Sequence, residues 1–152
     1  MNLDHLYYQF QLTSKALVYN LEGISDVEAL KQPGGGGNCI NWLVGHVIVS
    51  RDTYFMQLGR DPVLPESMRN RYVRGSQPVS TGDDIYQLSE LLQYFKKSNE
   101  TFQDFFESIS KKGITLSNEQ IQDLGGIIFH DAYHVGQVAI VRRTLGKEGV
   151  IK

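Results

Sequence analysis

From residue 85 to residue 109 the chain reads Ile85-Tyr86-Gln87-Leu88-Ser89-Glu90-Leu91-Leu92-Gln93-Tyr94-Phe95-Lys96-Lys97-Ser98-Asn99-Glu100-Thr101-Phe102-Gln103-Asp104-Phe105-Phe106-Glu107-Ser108-Ile109. Its apolar positions Ile85, Leu88, Leu92, Phe95, Phe102, Phe106 and Ile109 follow in steps of three and four, and only Asn99 breaks the series. That spacing puts one apolar stripe on a long helix, with Ser80 or Thr81 to open it and Gly113 just beyond its end. Downstream, Ser117 and Gln120 have capping-box spacing. Ile121, Leu124, Ile128, Val135, Val138 and Leu145 then trace another long helix up to Gly146. The pair Gly125-Gly126 weakens it by roughly 1 kcal/mol per glycine relative to alanine and reads as a kink or a close helix contact.

Upstream, residues 60 to 80 carry Pro62, Pro65, Gly75 and Pro78 with no sustained period, a long connection of the kind that is often functional or a crossover. Before it, Asn38 caps a helix whose core face uses Ile40, Leu43, Val44, Val47, Phe55 and Leu58, closed by Gly59. The run Pro33-Gly34-Gly35-Gly36-Gly37 lacks the strand before it and the Gly-Lys-Ser/Thr after it that a phosphate loop needs, so it reads as a flexible connection. Ser25 and Glu28 cap a short helix that Pro33 limits. The first helix runs through Leu3, Leu6, Tyr7, Phe10, Leu17 and Leu21 to a stop at Gly23. With no strand pair and no internal repeat, residues 1–152 are expected to form one all-α domain, a four-helix bundle around a single core.

Composition excludes several classes. Fifteen basic and seventeen acidic residues leave a formal charge of −2, which gives no electrostatic reason to expect nucleic acid or an anionic membrane as partner. Every apolar run is too interrupted to span a bilayer. The start Met1-Asn2-Leu3-Asp4-His5 shows no secretory pattern, and a single cysteine, Cys39, rules out an internal disulfide, so the cytoplasm is the expected compartment.

Three of the four histidines fall on the two helices expected to carry a site. His130 and His134 are four apart, on one helix face, where both imidazoles reach one ion. His46, in Trp42-Leu43-Val44-Gly45-His46-Val47, offers a third nitrogen. The competing reading is a set of core histidines bonded to neighbours. Three imidazoles leave a coordination position open, as catalytic sites do. Asp131 stands where zincins have the glutamate of His-Glu-x-x-His, but it is one methylene shorter and no downstream ligand follows, so a protease is not expected. Asp131 reads as a surface carboxylate or as a partner of the ligands, with the surface reading preferred. Gln137, three residues past His134, reads equally as a group that orients a ligand or a bound water and as an amide satisfied within the bundle. His5 reads as a half-exposed core-edge residue, and Cys39 as a helix-start thiol without an identifiable base. Bulky Trp42, Tyr54 or Tyr133 filling the position next to an ion would argue against catalysis.

The segment Phe129-His130-Asp131-Ala132-Tyr133-His134-Val135-Gly136-Gln137, continuing to Arg142-Arg143-Thr144-Leu145-Gly146, together with Ile40-Asn41-Trp42-Leu43-Val44-Gly45-His46, resembles the signature of the DinB/YfiT-like superfamily. The resemblance implies an up-down-down-up bundle with a long connection between the second and third long helices. It implies a divalent metal, nickel or zinc, on His46, His130 and His134, and a homodimer. For function it implies a metal-dependent transferase that joins a low-molecular-weight thiol to an electrophilic small molecule. A metal-dependent hydrolase and a non-enzymatic metal-binding dimer are the alternatives that stay open, with Asp131 and Gln137 as the candidate catalytic groups.

Overall fold

The computed structural model describes residues 3–77 and 85–150. These form six helices: α1 (Leu3–Leu21), α2 (Asp26–Ala29), α3 (Ile40–Gln57), α4 (Glu66–Tyr72), α5 (Leu88–Lys112) and α6 (Asn118–Thr144). There is no strand among the described residues. The long helices α1, α3, α5 and α6 pack along the pairs α1–α6, α3–α6 and α3–α5. No helix among the described residues is long and apolar enough to cross a membrane.

The capping boxes form as their spacing requires: Ser25 with Glu28 opens α2 and Ser117 with Gln120 opens α6. Three expectations are corrected. Cys39, not Asn38, is the N-cap of α3, and its side chain makes no cap hydrogen bond. This helix start is buried at Cys39 and Ile40 and held by packing. The third long helix begins at Leu88, because Ile85–Gln87 are not helical; Ser80 and Thr81 lie outside the described residues. The connection after α3 holds a seven-residue helix, α4, whose core contacts are only Met68 and Tyr72, too few to show a period.

That connection clings to α3. Asp52 is buried in α3, and its carboxylate accepts hydrogen bonds from the backbone N–H groups of Val63 and Leu64, both at 2.9 Å. The Tyr72 hydroxyl donates to Asn41 Oδ1 at 3.0 Å, Asn41 Nδ2 donates to the Tyr86 carbonyl at 2.6 Å, and Trp42 Nε1 donates to Ser76 Oγ at 2.9 Å. The run Leu43-Val44-Gly45-His46-Val47-Ile48-Val49 is accordingly buried on all sides, as a helix that is apolar all round must be. Gly45 is the point of closest approach, since a Cβ there would fall 2.4 Å from the Tyr72 ring.

Two apolar clusters fill the interior. One joins Leu17 and Leu21 of α1, the first half of α3, Leu88, Leu91 and Phe95 of α5, and Val135, Val138 and Val141 of α6. The other joins Leu6 and Phe10, Tyr54 and Phe55, Phe102, Phe105 and Phe106, and Leu124 and Ile128. Where these halves meet sits a charge: Arg51, 1% exposed. Its Nε donates to Asp131 Oδ2 at 2.7 Å, Nη1 to Asn99 Oδ1 at 2.7 Å and Nη2 to Ser14 Oγ at 3.1 Å. Its guanidinium lies over the rings of Phe95, Phe10 and Phe102, 4.7, 4.9 and 5.3 Å from their centroids. Asn99 breaks the apolar series of α5 because it is a partner of this arginine.

Two glycine substitutions separate close packing from backbone freedom. Gly45→Ala drives a methyl group into Tyr72 and is expected to cost about 1–3 kcal/mol in urea unfolding. Gly126→Ala, whose Cβ meets nothing within 4 Å, is expected to stabilise α6 by about 0.5–1 kcal/mol. Equal effects of the two would contradict the packing described at Gly45.

Candidate metal centre

His46 on α3 and His130 and His134 on α6 come together. His130 Nε2 lies 3.2 Å from His46 Nε2 and 3.1 Å from His134 Nε2. One ligand atom from each of the three lies within 4.8 Å of the others. Tetrahedral zinc–imidazole bonds of about 2.0–2.1 Å place neighbouring nitrogens about 3.3 Å apart, so the triad has the dimensions of a metal site.

The tautomers support the same conclusion. His46 Nδ1 meets the Tyr72 carbonyl at 2.7 Å, and a carbonyl only accepts, so Nδ1 carries the proton and Nε2 its lone pair. His134 Nδ1 donates in the same way to Gln137 Oε1 at 2.7 Å, and Gln137 Nε2 donates to the Tyr133 hydroxyl at 3.2 Å. Burial pushes the pKa of both rings down, His134 to about 4, outweighing the hydrogen bonds that favour their protonation. His130 Nε2 therefore faces two lone pairs, and an N–H there could serve only one of them. With the His130 proton on Nδ1 instead, Nε2 adds a third lone pair to the cluster, and a cation relieves the repulsion among them. Three histidines are thus positioned to bind a divalent metal ion.

Two bulky neighbours pack on the imidazole rings. The Trp42 ring stacks on His46 at 4.5 Å and 16°. Tyr133 sets its ring against His134 at 5.1 Å, edge to face, and is itself 58% exposed. The Tyr54 hydroxyl reaches the Gln120 carbonyl at 3.4 Å, nearly three turns of α6 before His130. His46 and His134 are 7% exposed, whereas the His130 side chain is 29% exposed. On that side lies the Ser50 hydroxyl, 3.4 Å from His130 Nε2. Ser50 also lines a groove of about 350 Å³ between α3 and α6, with Thr53, Gln57, Gln122, Asp123 and Gly126. At Gly126 the space beside the helix is open, so no close helix contact is made at that glycine, and α6 continues through the pair.

Asp131 is the clear correction among the candidates. It is 1% exposed, so it is no surface carboxylate; the ion pair with Arg51 keeps it inside. Gln137 accepts the Nδ1 proton of His134 through Oε1. His5 is exposed on α1, away from the triad, and Cys39 is buried at 0%. The Tyr72 carbonyl, Ser50 and the whole Arg51 network were missed. Arg51-Asp52 in an otherwise apolar helix, and Asn99 on an apolar stripe, were the signals that pointed to the network.

A model of the DinB superfamily matches residues 9–138, most of the chain and all three histidines. The chain belongs to the DinB superfamily. The segment Arg142–Gly146 lies past the matched region. No curated protein matches the chain.

Because Gln137 fixes the proton of His134 on Nδ1, Gln137→Ala is expected to weaken zinc binding by about 10–100-fold with little change in unfolding midpoint. Competition against a chromophoric chelator reads the affinity; an unchanged value would mean that the amide does not orient the ring.

Proposed function

We propose that the protein binds one divalent ion, zinc or nickel, through His46, His130 and His134, and catalyses transfer of a low-molecular-weight thiol to an electrophilic small molecule. The observation that carries the reading is the convergence of three Nε2 atoms, two of them held as lone-pair donors by Tyr72 and Gln137. Bound there, a divalent ion supplies positive charge that favours the ionised form of a thiol or water beside it. The chain does the rest. Trp42 and Tyr133 hold the rings of His46 and His134, the exposed edge of His130 admits reactants, and the Ser50 hydroxyl offers them a hydrogen bond. The groove beyond Ser50 has room for the polar body of a substrate, with amides, a hydroxyl and the Asp123 carboxylate along it. The same groove suits a hydrolase, and thiol dependence separates the two.

We also propose that residues 1–152 form one domain with the up-down-down-up order of a four-helix bundle. The make-up of the two apolar clusters supports the order. One gathers the starts of α3 and α5 with the ends of α1 and α6, and the other gathers the opposite ends. A homodimer is proposed through the outer face of α1 and α6, where Tyr8, Leu12, Phe129, Tyr133 and Ile140 are between 49% and 74% exposed.

Metal analysis of untagged protein by mass spectrometry is expected to find close to one divalent ion per chain, lost in His46→Ala. The loaded protein is expected to consume 1-chloro-2,4-dinitrobenzene only when a thiol such as cysteine is present; turnover indifferent to every added thiol would sink the transferase reading in favour of hydrolysis. Light scattering is expected to give twice the chain mass, and the chain mass alone for Phe129→Glu/Ile140→Glu; a wild-type monomer would refute the dimer.

A further inference from the structure

Two of the three proposed ligands have an acceptor for the ring proton on Nδ1, the Tyr72 carbonyl for His46 and Gln137 Oε1 for His134. The third has none in place: His130 Nδ1 is buried without a hydrogen-bond partner. One other buried atom next to it is in the same condition. Asp131 Oδ1 is also without a partner, and it lies 3.7 Å from His130 Nδ1. Two complementary polar atoms orphaned side by side are costly apart and satisfied together. Closing the gap by less than 1 Å brings them to the usual hydrogen-bond length of about 2.9 Å.

We propose, on the basis of the metal reading above, that Asp131 is the positioning residue for His130. Its Oδ1 accepts the Nδ1 proton so that Nε2 points into the site, while Arg51 grips Oδ2 and keeps the carboxylate turned to this task. The grip is needed. Adjacent residues on a helix project about 100° apart, so a free aspartate has no reason to face the preceding imidazole. Arg51 holds Oδ2 at 2.7 Å and is itself fixed by Asn99 and Ser14 from two other helices. The same bond keeps a negative oxygen from swinging in as a competing ligand. Aspartate in place of a zincin-like glutamate has a direct reason here, since its shorter side chain spans from His130 to Arg51.

The test begins with metal-free, nitrogen-15-labelled protein. Two-bond proton–nitrogen correlation spectra report which ring nitrogen of each histidine carries the proton. Wild-type His130 is expected in the Nδ1–H form, reverting to the Nε2–H form common in water in Arg51→Met/Asp131→Ala, which removes the ion pair as a unit and leaves no lone buried charge. A wild-type His130 protonated on Nε2, or an unchanged tautomer in the double variant, overturns the proposal. If that variant folds poorly, the wild-type spectrum still decides. Asp131→Asn, which keeps one acceptor oxygen, is then expected to retain more of the Nδ1–H form than Asp131→Ala.

A second arm measures zinc affinity by chelator competition, with an expected loss of about 10–100-fold in the double variant. Leu6→Ala, a truncation of a buried α1 residue in the second apolar cluster, is expected to leave the affinity unchanged. An equal loss in Leu6→Ala would show a general softening of the core and overturn the positioning role. Wild-type protein that takes up no zinc at all would defeat the functional reading alone, with the tautomer spectra still deciding this one.

Discussion

A guanidinium with almost no water around it is the constraint that the interior of this protein is organised around. Arg51 cannot shed its charge, so its burial is tolerable only if every donor is met and the planar faces are covered. It receives a carboxylate from α6, an amide from α5 and a hydroxyl from α1, and three phenylalanine rings surround it. An apolar core tolerates small slips of one helix along another. A fork of fixed hydrogen bonds does not, because each ångström of slip leaves a buried polar group unmet. Hydrophobic clusters on either side supply most of the stability, and the arginine sets the register in which the helices settle.

That register matters because the histidine triad, the proposed metal site, is assembled across a helix pair. His46 comes from α3, while His130 and His134 come from α6, and a shift of one helix by a fraction of a turn would separate the nitrogens. Arg51 and Asp131 link the same two helices just beside the triad: Arg51 follows His46 by five residues, and Asp131 directly follows His130. The connection from Val63 to Ser76, pinned along α3 by Asp52, Asn41 and Trp42, brings the Tyr72 carbonyl to His46. Core packing, ion pair and loop anchoring therefore converge on one small cluster of imidazoles.

Much of this was legible in advance. The helical spacing of Phe95, Phe102 and Phe106, the capping boxes at Ser25 and Ser117, and the four-residue step from His130 to His134 each follow from local rules that tertiary context did not override. What escaped notice is non-local or brief. The α4 helix buries only two of its side chains, below what any periodicity can reveal. The start of α3 is set by burial and not by a capping side chain, so Asn38 misled. Asp131 resembles any polar residue on a helix until Arg51, eighty residues earlier, is known to face it. The acceptor for His46 is a backbone carbonyl, and every residue has one, so no side-chain pattern announces it.

The difference between the two acceptors bears on how such a centre changes over generations. Gln137 holds His134 with a side chain, and a single codon change removes or alters that hold. Tyr72 holds His46 with main chain, so no replacement at position 72 except by displacement of the whole segment deletes the oxygen. Drift and laboratory selection for a different ion have an easy handle on one ring and almost none on the other. A substitution can thus alter the hold on His134 directly, whereas the hold on His46 changes only with the path of the backbone that carries it.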